Sequence, residues 1–480
     1  MNSQDMFDGV TDIRDDLIDG AKEAPKRQKW WTKKRRLGAV AAVLAIVILA
    51  GVFLRPGGAL TAYAIAEAEY PKMAPYPSGL SLGSDRAYDA WWEGVRAQRR
   101  DLGDISPLQA FFARSARTFL TGDEGQNRVY SPLNVYMALS MLAQLTGGES
   151  RAQILALLGS GSMDELRRQA SDVWNANYRD DGALTSILAS SLWLNKNVKF
   201  NQDTMDTLAR DFYASSYRGE MGSEGFNKAL RDWLNEQTGG LLEEQAGNIE
   251  LDRDTVLALA ATVYFKAKWR DEFNKGRTSP ETFHAPGGDV ETDFMHQRDS
   301  QTYYWGENFA AVSQSFETGM GGAMWFLLPD EGVAPEELLS DGEAMDFLFA
   351  GNRNEWENQK HLMVNKSIPK FDVSSQFELD EGLQALGVTD IFDPAASDFT
   401  HMTTDVDVPI AQSQASHAAR VMIDEEGCTA VAFTVIPAAG AEPPPDEEVD
   451  FVLDRPFLFC ITGESGLPLF VGIVNYPVGK

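Results

Sequence analysis

Residues 424–455 read DEEGCTAVAFTVIPAAGAEPPPDEEVDFVLDR. Extended backbone sends alternate side chains to opposite faces, so Cys428, Ala430, Ala432 and Thr434 fall on one, and Thr429, Val431, Phe433 and Val435 on the other. The first set holds nothing large and nothing charged. It can therefore enter a packed sheet interior without the roughly 1–3 kcal/mol that overpacking costs. The same stretch, with its Pro- and Glu-rich tip, also has the composition of a solvated hairpin loop, so the rest of the chain has to decide.

The chain has 480 residues, 44% of them hydrophobic, enough for one large core or two to three smaller ones. A formal charge of -29 argues against a nucleic-acid surface, since beyond the N-terminal region no basic stripe is left to neutralise phosphates. Acidity of this kind mainly keeps a protein soluble. Cys428 and Cys460 are too few for a disulfide framework and lack the companion ligands of a zinc site. His284, His296, His361, His401 and His417 are scattered without any metal spacing. No metal and no cofactor are expected.

Residues 1–36 read as a cytoplasmic tail, acidic from Asp5 to Asp19 and basic through Lys33, Lys34, Arg35 and Arg36. Residues 37–54 are an unbroken apolar run, about 27 Å long as a helix at 1.5 Å per residue and close to the roughly 30 Å hydrocarbon thickness. With the basic cluster on its N-terminal side, the run reads as a signal-anchor helix that keeps the N-terminus inside and exports everything after Arg55. The competing reading is a signal peptide cleaved near Ala62-Tyr63-Ala64, which gives a secreted protein. Residues 55–104, rich in Pro and Gly, read as an extracellular linker or stalk. It ends in a more helical piece whose Trp91 and Trp92 are a packing patch or an interfacial anchor.

From Pro107 the texture changes. Helical patterns cover 109–120, a helix entered through Ser131-Pro132, 150–158, 163–178, 202–213 and 225–238. Strand-like runs follow at 186–194, 255–265, 323–328, 362–371, 420–423, 456–462 and 467–476. Early helices and late strands make 105–480 an α+β domain.

Several of these segments resemble the serpin family, in register. VYSPLNVYMALSMLAQLTGGES (129–150) is similar to its second helix, and VLALAATVYFKAKWRDEFN (256–274) to a central strand with Lys266, Lys268 and Trp269 at the signature places. IPKFDVSSQFELDEGLQALGVTDIFD (368–393), SHAARVMIDEEG (416–427) and RPFLFCITGESGLPLFVGIVNYP (455–477) complete the match over about 107–478. The resemblance implies a serpin fold, helices packed on three sheets with an exposed reactive-centre loop. It also implies a mechanism. A serine protease attacks the loop and forms an acyl-enzyme, and the cleaved loop inserts as a new strand, dragging the protease with it.

On this resemblance Glu425, Glu426 and Gly427 begin the hinge, with glycine easing the backbone bend, and Cys428 through Thr434 continue it. The family's usual seventeen-residue span, begun at Glu425, ends at Ala441, so Ala441-Glu442 is the expected reactive bond and Ala439-Gly440 the second choice. Alanine at the bait position suits an elastase-like serine protease with a shallow apolar pocket. The run Asp446, Glu447, Glu448 either steers a basic protease or is a solvated face. Ser131, Asn134, Trp269 and His417 form the expected sheet-opening region. There Asn134 replaces an amide the family carries where this chain has Ala261, and satisfies a buried cluster with Ser131 and His417. A covalent protease complex, a monomer and, for an anchored chain without disulfides, a bacterial surface are expected. The alternative is a non-inhibitory surface binding protein on the same fold. An enzyme has no Gly-x-Ser-x-Gly elbow or phosphate loop to support it.

Overall fold

Ser131 caps the helix Pro132–Leu145: its Oγ accepts the Asn134 amide, and Pro132 takes a first-turn position where its missing N–H costs nothing. In the computed structural model this helix is buried on nearly every side and touches strands of both sheets. The structure describes residues 60, 62–77, 84–122, 125–182, 184–247, 249–317, 321–403, 415–428, 445 and 447–477. Residues 62–480 form one compact unit, to which the following description belongs.

Counted over the described residues there are two sheets where three were expected. The first has eight strands, in the order Ala64–Ala66, Ala214–Gly219, Leu184–Asn195, Leu257–Lys268, Gly427–Cys428, Ser416–Ile423 and Phe371–Glu378, with Arg179–Asp180 beside Leu184–Asn195. The second has nine, in the order Glu448–Val452, Gln359–Pro369, Gly288–Trp305, Phe309–Ser315, Ala323–Pro329, Phe457–Thr462, Pro468–Val474 and Arg128–Tyr130, with Ser279–Ala285 beside Gly288–Trp305. The long strand Gly288–Trp305 makes the difference. Gln359–Pro369 pairs along it from Phe294 to Tyr304, and its last two residues also pair with Phe309–Ser315. What would be two sheets therefore becomes one ladder.

In the first sheet, Leu184–Asn195 and Leu257–Lys268 are antiparallel over their whole length, from Leu184↔Ala267 to Leu194↔Leu257. The other side of Leu257–Lys268 is different. Among the described residues, only Gly427 and Cys428 lie between it and Ser416–Ile423.

The reading of 55–104 as a stalk is corrected over its described residues. Ala64–Ala66 adds a strand to the edge of the first sheet, and Arg218 N donates to Tyr63 O at 2.7 Å. Cleavage near Ala62-Tyr63-Ala64 would thus cut into the fold. Tyr70 enters a ring cluster with Trp174, Tyr178 and Tyr213. The helix Ser84–Gln98 sinks Trp91 to 1% exposure, and Trp91 Nε1 donates to Asp181 Oδ2 at 2.8 Å. The Arg179 guanidinium lies over the same indole and pairs with Asp181 and Glu464. Burying large rings stabilises by several kcal/mol, more than the Pro and Gly content of this stretch costs. The tail 1–36 and the apolar run 37–54 lie outside the described residues; among those described, no helix is long and apolar enough to cross a membrane.

Trp91→Ala is expected to cost about 3–5 kcal/mol, seen as a lower urea midpoint at unchanged m-value, whereas Trp92→Ala, at a half-buried position, should move the midpoint far less.

Candidate functional site

Ser416–Ile423 ends at Asp424, and the chain reverses in a tight turn. Asp424 N donates to Gly427 O at 3.0 Å. Its Oδ1 accepts the amides of Glu426 and Gly427 at 2.8 and 3.1 Å, the local side-chain turn for which aspartate is suited. The returning chain then slots Gly427 opposite Lys268, and Cys428 between Ala267 and Ile423. Gly427 is required here by close approach, not by a bend: its φ is not left-handed. A Cβ would lie 2.3 Å from the Ala267 carbonyl oxygen and 2.9 Å from Lys268 Cα. This corrects the sequence-based reason for the glycine.

Cys428 is 3% exposed. Burial, with a smaller contribution from the Asp424 carboxylate, pushes its thiol up to about 12, so the group is an unreactive packing atom while the hinge stays in the sheet. It shares a cavity of about 30 Å³ with Ser131, Asn134 and Thr262.

The turn is held from several sides. Trp269 Nε1 donates to Asp424 O at 2.8 Å, Trp269 N to Glu426 O at 3.1 Å and Phe273 N to Glu425 O at 3.0 Å. The indole itself is stacked on Phe316, 5.1 Å between centroids. Glu425 Oε1 receives Thr278 Oγ1 at 2.8 Å and Lys370 Nζ at 2.8 Å, and Glu426 pairs with Lys275. Burial pushes the Glu425 carboxyl up, but the hydrogen bonds from Lys370 and Thr278 outweigh it and leave the group below the usual carboxylate range. Sequence reasoning assigned no role to Phe273, Lys275, Thr278 and Lys370; Phe273 and Lys370 lie in stretches that carry the serpin resemblance, while no motif marks Lys275 or Thr278.

Ser131, Asn134 and His417 come together beneath the sheet. Ser131 N donates to His417 Nε2 at 3.1 Å, Ser131 Oγ to Leu469 O at 2.6 Å, and Asn134 Nδ2 to Ala261 O at 3.0 Å. The amide of Asn134 thus meets the backbone of the residue whose missing amide it was expected to replace. Burial alone brings His417 down to about 4, so the ring is neutral, with Nε2 as acceptor. Trp269 is not part of this cluster; it belongs to the hinge. Beside Asn134 and His417, a second cavity of about 100 Å³ is lined by Leu139, Leu259, Ala261, Leu379, Ala415 and His417.

Thr429, Ala430, Val431, Ala432, Phe433 and Thr434 of the hinge, and Ala439, Gly440, Ala441 and Glu442 around the expected reactive bonds, lie outside the described residues. Of the acidic run, Glu447 pairs with Lys360, and Glu448 with Arg298 and Asn365, so those two charges are balanced within the domain. Among the described residues no group of acids, cysteines and histidines could hold a metal ion.

A family model described as "Serpin (serine protease inhibitor)" matches residues 108–477. The chain is similar to Serpin-Z1C of Triticum aestivum, 28% identical over 394 residues that cover 78% of this chain and 96% of that protein. It is also similar to Serpin-ZX of Arabidopsis thaliana, 27% identical over 373 residues, 75% and 94% of the two chains. Arabidopsis AtSerpin1 in its native stressed conformation superposes with a TM-score of 0.67 at 25% identity, covering 79% of this chain and 99% of that one. The thermophilic serpin Tengpin in its native state gives 0.69 at 23% identity, covering 79% and 96%, a likeness of fold.

Gly427→Ala should expel the hinge from the sheet. The expected sign is faster reaction of Cys428 with a thiol reagent, by at least tenfold in a Cys460→Ser background; an unchanged rate would contradict the packing described. The folded-state pKa of His417 lies below its unfolded value, so the unfolded chain binds its proton first. Stability contributed by the neutral ring is whole above pH about 6.5 and falls as pH drops toward about 4. Melting temperature should decline over that window in the wild type, and more shallowly in His417→Gln.

Proposed function

Because the chain belongs to the serpin family, we propose that it is a serine protease inhibitor consumed as a substrate: the protease cuts the loop after Ala441, becomes acylated, and is carried off as residues from Cys428 onward enter the first sheet. The observation that carries this reading is the pairing of Gly427 and Cys428 between Ala267–Lys268 and Ile423. That pairing supports insertion from this end, as does the small size of the next inward positions, Ala430, Ala432 and Thr434. The bait alanine points to elastase-like proteases, with Ala439-Gly440 the second bond. The covalent complex contains one monomeric inhibitor.

The finer reading of location rests on sequence. Residues 37–54, preceded by Lys33, Lys34, Arg35 and Arg36, act as a single-pass anchor with the inhibitory domain outside. The two curated relatives named above, Serpin-Z1C and Serpin-ZX, are plant proteins and lend no support to a bacterial surface.

The test is to mix the chain from Leu60 onward with pancreatic elastase. A band stable in denaturing gel, together with a C-terminal fragment beginning at Glu442, is expected. Ala432→Arg should abolish that band and leave only cleaved chain with the protease active. Clean cleavage of the unsubstituted chain, with full protease activity, would overturn the reading and leave a non-inhibitory member of the fold.

A further inference from the structure

The strand Gln359–Pro369 sends Leu362, Val364, Lys366 and Ile368 to one face, and all of them are buried. The odd member of this apolar row is the lysine. Lys366 is 2% exposed, and a lysine is almost never sunk this far without partners. Burial holds its ammonium below the ordinary lysine range, against the pull of the Asp299 carboxylate. An apolar side chain would fill the same row without that cost, so neither the strand nor the sheet needs a charge at this place.

The ammonium is met by groups from different elements. Lys366 Nζ donates to Asp299 Oδ2 at 3.1 Å and to Gln314 Oε1. It also lies 5.9 Å from the centre of the Phe273 ring, within reach of a cation–π attraction. The Gln314 side chain, itself buried, is thereby turned one way: with its oxygen on the ammonium, its Nε2 donates to Asp271 O at 2.9 Å. Flipped, it would set donor against donor at Lys366 and acceptor against acceptor at Asp271. Gln297, the cross-strand partner of Lys366, adds a second bond to Asp271 O at 3.0 Å. Its Oε1 is buried without a partner among the described residues, so that amide is fixed from one side only.

Asp271 lies inside the segment that grips the hinge. On either side of it Trp269 N donates to Glu426 O and Phe273 N to Glu425 O, and Arg270 N ties the segment to Ser315 O at 2.9 Å. Planar peptides leave so short a segment few free rotations, so a fixed Asp271 carbonyl and a fixed Phe273 ring set the direction of both gripping amides. We propose that Lys366 is a positioning residue for the hinge: through the Gln314 amide and the Phe273 ring, it holds residues 269–273 where they can grip Glu425 and Glu426. Its consequence for trapping rests on the reading above. Insertion that starts from a fixed hinge outruns hydrolysis of the acyl-enzyme. Insertion from a loose hinge starts late, and more inhibitor is lost as plain substrate.

The uncut chain tests the role without any protease, in a Cys460→Ser background with iodoacetamide as the probe of Cys428. Lys366→Met removes the charge and keeps the bulk, so the urea midpoint should stay or rise while Cys428 reacts about fivefold faster or more. An unchanged rate overturns the proposal. So does a faster rate accompanied by a lower midpoint, which is what a merely structural lysine would give. Adding Gln314→Leu to Lys366→Met should accelerate the reaction no further; multiplied effects would mean that the glutamine acts without the lysine, and would overturn the proposal too. With pancreatic elastase as probe, Lys366→Met should raise the moles of inhibitor consumed per mole of protease several-fold, and an unchanged ratio overturns the link to trapping. If the unsubstituted chain traps no elastase, the inhibitor reading fails, and the thiol rate alone decides the role of Lys366.

Discussion

Two strands of the first sheet, Leu257–Lys268 and Ser416–Ile423, are bridged among the described residues by only two residues, Gly427 and Cys428. The backbone groups of a central strand are obligatory hydrogen-bonding groups, and Gly427 and Cys428 satisfy those at one end of this interface. A pocket of about 100 Å³, partly open to solvent, lies under Leu259 and Ala261. Thr262 Oγ1 is buried without a hydrogen-bond partner among the described residues, a cost of about 1–3 kcal/mol. If the chain inhibits as proposed, the strand that would enter here begins at the hinge and carries small inward side chains.

The contacts around the gap between these two strands divide into neutral and charged ones. Asn134, on the helix beneath, reaches up to the Ala261 carbonyl, while His417 on the opposite strand accepts from Ser131 at the head of the same helix. One helix end thus grips both lips of the gap through single, neutral hydrogen bonds, each worth about 1 kcal/mol. The hinge turn is gripped differently, by carboxylates against Lys275 and Lys370 and by the Trp269 indole. Weak neutral bonds across the gap and charged bonds at its head make the head the stable end of the interface.

Local chemistry was legible where it is self-contained. Ser131-Pro132 marked a helix start, and the helix found at Met163–Asn177 departs by one residue from the expected 163–178. Gly288–Trp305 was not read as a strand because its alternation is disguised: Glu291 and Asp293 face out as expected, but the buried partners include Thr292 beside Phe294. The expected strand 362–371 is broken at Lys370 into two that belong to different sheets. The grip on the hinge was invisible for another reason. Thr278 and Glu425 are 147 positions apart, and no spacing rule connects a threonine to a carboxylate at that range. The stalk reading failed because Pro and Gly describe a chain's stiffness and not what its aromatic residues find to pack on.

The strand Ala64–Ala66 carries one more consequence. Without it, Ala214–Gly219 would be the outermost strand of the first sheet, with a row of amides and carbonyls open to any passing chain. Exposed edges of this kind are where sheets of neighbouring molecules join and aggregates begin. By laying three residues of its own N-terminal segment along that border, the protein covers part of the edge and narrows the border through which copies of the fold could stick to one another.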